Sequence, residues 1–249
     1  MKGLNIPVGV SDFEEIRSNG YYYIDKTGLI GELLKSTGTK VTLITRPRRF
    51  GKTLGMSMLE NFFDIRKDSR GLFEGLEISE RQDLYSKWMN QWPTVFLSLK
   101  SVDGLNFEGA YQQLVYEISL LYQKHDYLLE STALSEQDKF LFKQLRNRQS
   151  EKTDVMRSLQ LLTRLLEQHY NKKVILLIDE YDVPVAKANN HGYYNEMLDV
   201  MKGLMQALKD NTSLRFAVIT GCLRIAKESI FTGTNNFVSD TITDSRLSE

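Results

Sequence analysis

The chain has 249 residues, 32 acidic and 32 basic side chains, and a formal net charge of zero. That length buries a full core in one or two domains, and the zero balance gives no argument for a nucleic-acid, membrane-surface or acidic partner. The single cysteine, Cys222, excludes an internal disulfide and a cysteine-based zinc site, and fits a reducing cytoplasm.

The N-terminal stretch M-K-G-L-N-I-P-V-G-V lacks the apolar core of a signal peptide. No apolar run approaches membrane-spanning length. Ser11 and Glu14 form a capping box that opens a helix carrying Phe13 and Ile16, and Gly20 ends it. Residues 21–24 read as a small strand. Leu29, Ile30, Leu33 and Leu34 mark a second helix. Together, residues 1–40 read as a helical extension packed on the main domain.

Val41–Thr45 is a β-type run, and T-R-P-R-R-F-G-K-T follows at 45–53. A strand that turns into Gly-Lys-Thr and then a helix is the arrangement of a phosphate-binding loop. Backbone N–H groups wrap a polyphosphate, the lysine reaches the outer phosphates, and the hydroxyl holds Mg²⁺. The binding candidates are therefore Arg46, Pro47, Arg48, Arg49, Phe50, Gly51, Lys52, Thr53 and Leu54. The loop departs from G-x-x-x-x-G-K-[ST], because Arg46 stands where the first glycine should be. Pro47 stiffens it. Leu54, Met58, Phe62 and Phe63 recur at helical spacing after it.

Residues 79–88 read as helix and 94–100 as a second strand. Phe107, Ala110, Leu114, Ile118 and Leu121 make a long helix. The polar stretch 131–150 reads as a helix-containing insertion. Val155, Leu159, Leu162 and Leu166 lead into V-I-L-L-I at 174–178, a run suited to a central strand buried on both faces. Asp179 and Glu180 end that strand where ligands bind in open α/β sheets. Asp179 is the candidate Mg²⁺ ligand opposite Thr53, and Glu180 the candidate base for an attacking water. Tyr194, Met197, Leu198, Met201, Leu204 and Leu208 form a core-facing helix. Residues 213–220 and 237–241 read as the fourth and fifth strands.

Strands alternating with helices predict a three-layer α/β fold: one domain, a mostly parallel sheet of about five strands, and helices on both faces. The 213–220 strand is expected between the loop strand and the acidic strand in space. Thr220 would then face the γ-phosphate, with Arg224 within reach of it. His125, His169 and His191 show no metal-ligand spacing and read as surface residues.

The segments P-V-G-V-S-D-F, Y-Y-Y-I-D-K-T, T-R-P-R-R-F-G-K-T-L, L-L-I-D-E-Y-D-V-P and T-G-C-L-R-I-A-K-E-S-I-F-T-G-T-N-N-F resemble the bacterial AAA-ATPase-like proteins, from about residue 5 to residue 240. R-P-R-R-F-G-K-[ST] is the usual loop there, so Arg46 fits that pattern. The resemblance implies a P-loop ATPase related to the AAA and STAND types, binding ATP and Mg²⁺. It also implies continuation into a helical region and a nuclease-like effector, neither of which is in this sequence. Contact with such an effector, or self-association, is expected of the longer form, and ATPase activity of this piece alone is expected to be weak. The same signature singles out Asp25, Lys26 and Thr27, with Asp25 or Thr27 read as a cap for the helix through Leu34, and sets residues 8–23 near a bound base. Tyr181 reads as a packing residue and Asp182 as a partner to the site. Two further readings follow from the same residues. One is a slow, non-enzymatic switch controlled by nucleotide. The other is a nucleic-acid motor suggested by D-E-Y-D, which the chain is too short to complete and whose neutral charge gives no basic groove.

Overall fold

The computed structural model describes residues 5–35, 40–47 and 50–222, together with the backbone of 237–240. Helices α1 (Phe13–Ser18) and α2 (Gly28–Lys35) precede strand β1 (Val41–Thr45) and helix α3 (Lys52–Phe63). Then come α4 (Glu77–Glu80), α5 (Gln82–Trp88), β2 (Thr94–Ser98), α6 (Phe107–Gln123), α7 (Glu136–Arg146) and α8 (Lys152–Tyr170). Strand β3 (Val174–Asp179), helices α9 (Val183–His191) and α10 (Tyr194–Leu204), and strands β4 (Leu214–Gly221) and β5 (Phe237–Asp240) complete the order.

The five strands form one sheet in the order β2-β3-β4-β1-β5. Every pair is parallel. The strand latest in sequence among the central three, β4, therefore lies between β1 and β3, as expected from the sequence. Side chains alternate across the sheet with period two. Val174, Leu176 and Ile178 of β3 face a core built with α6, α7, α8, α9 and α10. Ile175 and Leu177 face the opposite core, built with α1, α2, α3, α4 and α5. Both faces of β3 are covered, which is why its sequence is a continuous apolar run rather than an alternating one.

Helix α3 is enclosed rather than amphipathic. Met56, Met58, Leu59, Phe62 and Phe63 are all buried, between the sheet and α1. Phe62 packs edge-on to Phe63 and Phe73, and Phe13 meets Phe73 and Tyr23. Burying each such ring is worth about 1.5–3 kcal/mol. The helix that carries Lys52 is thus held firmly at its far end.

Several local expectations are corrected. The cap of α1 is Asp12, one residue after Ser11: its carboxylate accepts the Glu15 N–H at 2.8 Å. Residues 21–24 form no strand with any of the described residues; the Tyr22 N–H donates to the Asn5 carbonyl at 2.9 Å. The 79–88 helix is two helices, broken at Arg81. The helix running to Leu208 ends at Leu204 and tightens into a 3-10 turn, Met205–Leu208. Helix α9 escaped the sequence reading because its apolar residues are few; Pro184 in its first turn is the signal that was there to use. His125 is buried rather than on the surface, with 1% exposure. Residues 131–150 do contain a helix, and Phe142 and Leu145 of α7 are buried in the same core as β2 and β3.

The side chains of Asp25 and Thr27, expected to cap α2, reach instead to the start of α4. Asp25 accepts the Thr27 N–H (2.8 Å) and hydroxyl (2.7 Å) on one oxygen and the Glu77 N–H (2.7 Å) on the other. The Thr27 hydroxyl accepts the Ile78 N–H at 3.2 Å. The residue before α4, Leu76, has no side-chain acceptor, so the first N–H groups of that helix are satisfied from α2's entrance instead. Asp25 and Thr27 are therefore a clamp between α2 and α4.

Candidate functional site

The parallel register brings three strand ends to one rim. Thr45 of β1 lies opposite Gly221 of β4, Ile44 opposite Thr220, and Ile178 of β3 opposite Ile219. The carboxyl ends of β1, β4 and β3 thus stand side by side, which is where open α/β sheets bind ligands.

The loop after β1 stays close to β4, because the Arg46 N–H donates to the Gly221 carbonyl at 3.2 Å. Gly51 has φ 72° and precedes α3 directly. That left-handed conformation favours glycine and turns the chain abruptly into the helix. Lys52 is the first residue of α3 and is buried, its side chain 3% exposed. Its ammonium meets the Arg46 carbonyl at 3.0 Å, the Pro47 carbonyl at 3.2 Å, the Cys222 sulfur at 3.1 Å and a Glu180 carboxylate oxygen at 3.5 Å. Thr53, next on the helix, donates its hydroxyl to Asp179 Oδ2 at 2.9 Å. Leu54 turns its side chain into the α1–α5 core, so only its backbone is available at the loop. Phe50 is largely exposed.

Asp179 is fully buried at the end of β3. Its second oxygen accepts the Thr220 hydroxyl at 2.5 Å. A buried carboxylate without partners would be costly; here hydroxyls from β4 and α3 grip it from both sides. Glu180 follows with φ 55°, an uncommon conformation for a non-glycine residue. Its N–H points at the Thr220 oxygen at 3.4 Å, and the next N–H, of Tyr181, donates to the Thr220 carbonyl at 3.0 Å. The kink turns Glu180 back across the rim, its side chain 15% exposed, onto Lys52.

Tyr181 and Asp182 support this turn from beneath. Tyr181 is fully buried, and burial, with the Asp182 charge adding, pushes its hydroxyl pKa well up, so it stays protonated. Asp182 accepts the Cys222 N–H at 3.0 Å. A methyl group on Gly221 would lie 2.4 Å from a Tyr181 ring carbon and 2.7 Å from an Asp182 oxygen, so this strand passes the turn closely enough to need glycine.

Lys52, Thr53, Asp179, Glu180 and Thr220 thus share one site. Arg48, Arg49 and Arg224 lie outside the described residues. The sequence reading takes Cys222 only as evidence against a disulfide and a cysteine-based zinc site, not as part of this site. Its position two residues past Thr220, at the exit of the strand between loop and carboxylates, was the clue to its place beside Lys52. Residues 8–23 bear on the same helix: the Phe13 N–H donates to the Ser57 hydroxyl at 3.0 Å, and that hydroxyl meets Asp12 at 3.4 Å.

The donor set suits a hard divalent cation bound together with a phosphate. A hydroxyl and a carboxylate converge at Thr53 and Asp179, oxygen ligands of the kind Mg²⁺ takes while keeping several waters. Among the described residues no group of three or more His, Cys, Asp or Glu side chains could hold a metal unaided. A cation here would thus need phosphate and water oxygens to complete its shell. No described helix is long and apolar enough to cross a membrane.

A family model described as "Predicted AAA-ATPase" matches residues 7–231. The chain is 29% identical over 251 aligned positions to the "Uncharacterized protein in vnfD 5'region" of Azotobacter chroococcum mcd 1. That alignment covers 100% of this chain and 43% of the relative, so the chain spans less than half of that protein's length. No solved structure matches.

Proposed function

The chain belongs to the predicted AAA-ATPase family, and from that premise we propose that it is an ATP-binding, Mg²⁺-dependent phosphohydrolase domain of the AAA/STAND-related kind, acting in the cytoplasm. The observation that carries this reading is the Thr53–Asp179 hydrogen bond, 2.9 Å long, which joins the start of the loop helix to the end of the acidic strand. A magnesium ion held between these two oxygens would neutralise charge on the terminal phosphates.

The chain's own groups would do the rest by position and charge. N–H groups at the start of α3 and the Lys52 ammonium bind the phosphates. Glu180, at the mouth of the site, accepts a proton from water aligned for attack. Thr220 fixes the Asp179 carboxylate and the Glu180 backbone together, and so sets the spacing between metal and base. Arg46 keeps the loop registered on β4 through its backbone.

Calorimetry with ATP tests the binding step: Lys52→Ala should abolish binding. Glu180→Gln should keep binding and lower phosphate release by about 10²–10⁴-fold, the usual contribution of a general base. Wild-type ATP affinity in Lys52→Ala would remove the proposal. A second reading, a slow nucleotide-controlled switch for an effector region, draws on the close pairing of Lys52 with Glu180. It predicts binding without appreciable turnover in the wild-type chain.

A further inference from the structure

The two groups that phosphate chemistry needs apart are joined. An ammonium has three N–H bonds to give, and the protein offers Lys52 four acceptors within 3.5 Å: two loop carbonyls, the Cys222 sulfur and Glu180. Glu180's other oxygen lies 3.8 Å from the same sulfur. Cys222 is fixed in turn by Asp182 through its backbone N–H.

We propose that the Lys52–Glu180 pair is an autoinhibitory latch, and that a nucleoside triphosphate enters by taking Lys52 away from Glu180. This inference rests on the nucleotide-site reading above. Three observations carry it. First, the pairing occupies both partners: the ammonium is spent on protein acceptors, and the Glu180 carboxylate faces Lys52 at 3.5 Å where it would have to face a water. Second, the Arg46 and Pro47 carbonyls converge on the ammonium. A phosphate cradle presents N–H groups inward, so carbonyls aimed there repel an anion until the lysine leaves and the loop turns. Third, Glu180 holds φ 55°, a conformation that persists only where its surroundings enforce it. Release from Lys52 removes part of that enforcement, which makes the β3 exit an element with two states.

The latch has a kinetic signature. If the competent state is a minor one, apparent affinity is reduced by its population, and binding must wait for opening. Stopped-flow association of a fluorescent ribose-labelled ATP with the 249-residue chain, in EDTA so that metal ligation plays no part, reads this directly. In the wild-type chain the observed rate should level off with nucleotide concentration at the opening rate. In Glu180→Gln it should stay linear, with affinity higher by about tenfold, equivalent to about 1.4 kcal/mol.

Simple repulsion between Glu180 and the triphosphate would also make Glu180→Gln tighter, so Glu180→Asp is the deciding variant. It keeps the charge but is one methylene shorter, which breaks the contact with Lys52. A latch predicts that the aspartate variant associates linearly and more tightly, like the glutamine one. Wild-type behaviour of Glu180→Asp, or linear association of the wild-type chain, overturns the latch while binding that depends on Lys52 keeps the site. No binding by any form removes the site reading and the latch with it.

Discussion

Gly221→Ala is the sharpest test of how the rim is built. The added methyl carbon would sit 2.4 Å and 2.7 Å from two Tyr181 ring carbons and 2.7 Å from an Asp182 oxygen. Real contacts of this kind are near 3.5–4.0 Å, so the turn must move by about 1 Å. Neither neighbour can yield cheaply. Tyr181 is fully buried and Asp182 is 2% exposed, and the Tyr181 N–H is tied to the Thr220 carbonyl. Overpacking of this sort costs about 1–3 kcal/mol, which in a domain of this size lowers Tm by roughly 2–4 °C per kcal/mol. The displacement also reaches the site, because Asp182 holds the Cys222 N–H and Cys222 touches Lys52. Thermal unfolding, with and without ATP, reads both effects. The variant should melt about 2–12 °C lower and gain less from ATP than the wild-type chain. An unchanged Tm together with an unchanged ATP shift would refute the close passage of β4 over the Tyr181–Asp182 turn.

Two further outcomes follow from the fold. Thr27→Val keeps the shape but strips the Ile78 N–H of its acceptor in a buried position; urea denaturation should show a loss of about 1–3 kcal/mol, and a loss below a few tenths would mean that the clamp onto α4 is dispensable. His125 supplies a pH dependence. Burial first, then the Arg66 and Lys124 charges, hold its pKa well below 6.5; of the groups facing it, the Tyr127 hydroxyl at 3.1 Å is neutral and Arg66 at 3.4 Å is cationic. The unfolded chain therefore takes up a proton that the folded one refuses. The stability from a neutral His125 is complete above pH 6.5 and is lost as pH falls below it, by about 1.4 kcal/mol per pH unit. Urea midpoints at pH 7.5 and 5.5 should separate in the wild-type chain and draw together in His125→Asn; equal separation in both would assign the pH dependence to other groups.

Much of the site could be read in the linear sequence, because its two halves are local. Gly51, Lys52 and Thr53 sit at one strand-to-helix turn, and Asp179 and Glu180 end one apolar run. Alternation of strands and helices gave the layered fold, and the place of β4 between β1 and β3 was legible because a carboxylate pair after such a strand accompanies that order. Errors fell where the deciding partner was distant. Asp12 caps α1 because its carboxylate also meets Ser57. Asp25 and Thr27 serve a helix that starts some fifty positions later. His125 is buried because α6 ends against the segment carrying Arg66.

The sequence by itself determined which chemical groups stand at the two strand ends of the candidate site, since backbone turns and strand periods are set by near neighbours. Tertiary structure alone decided which of those groups touch. Lys52, Glu180 and Cys222 come from three different strand ends, and only the parallel register of β1, β4 and β3 carries them within hydrogen-bond reach. Contact energies fall off over a few ångströms, whereas spacing along a chain says nothing about distance through space, so that convergence could not be read from the order of the residues.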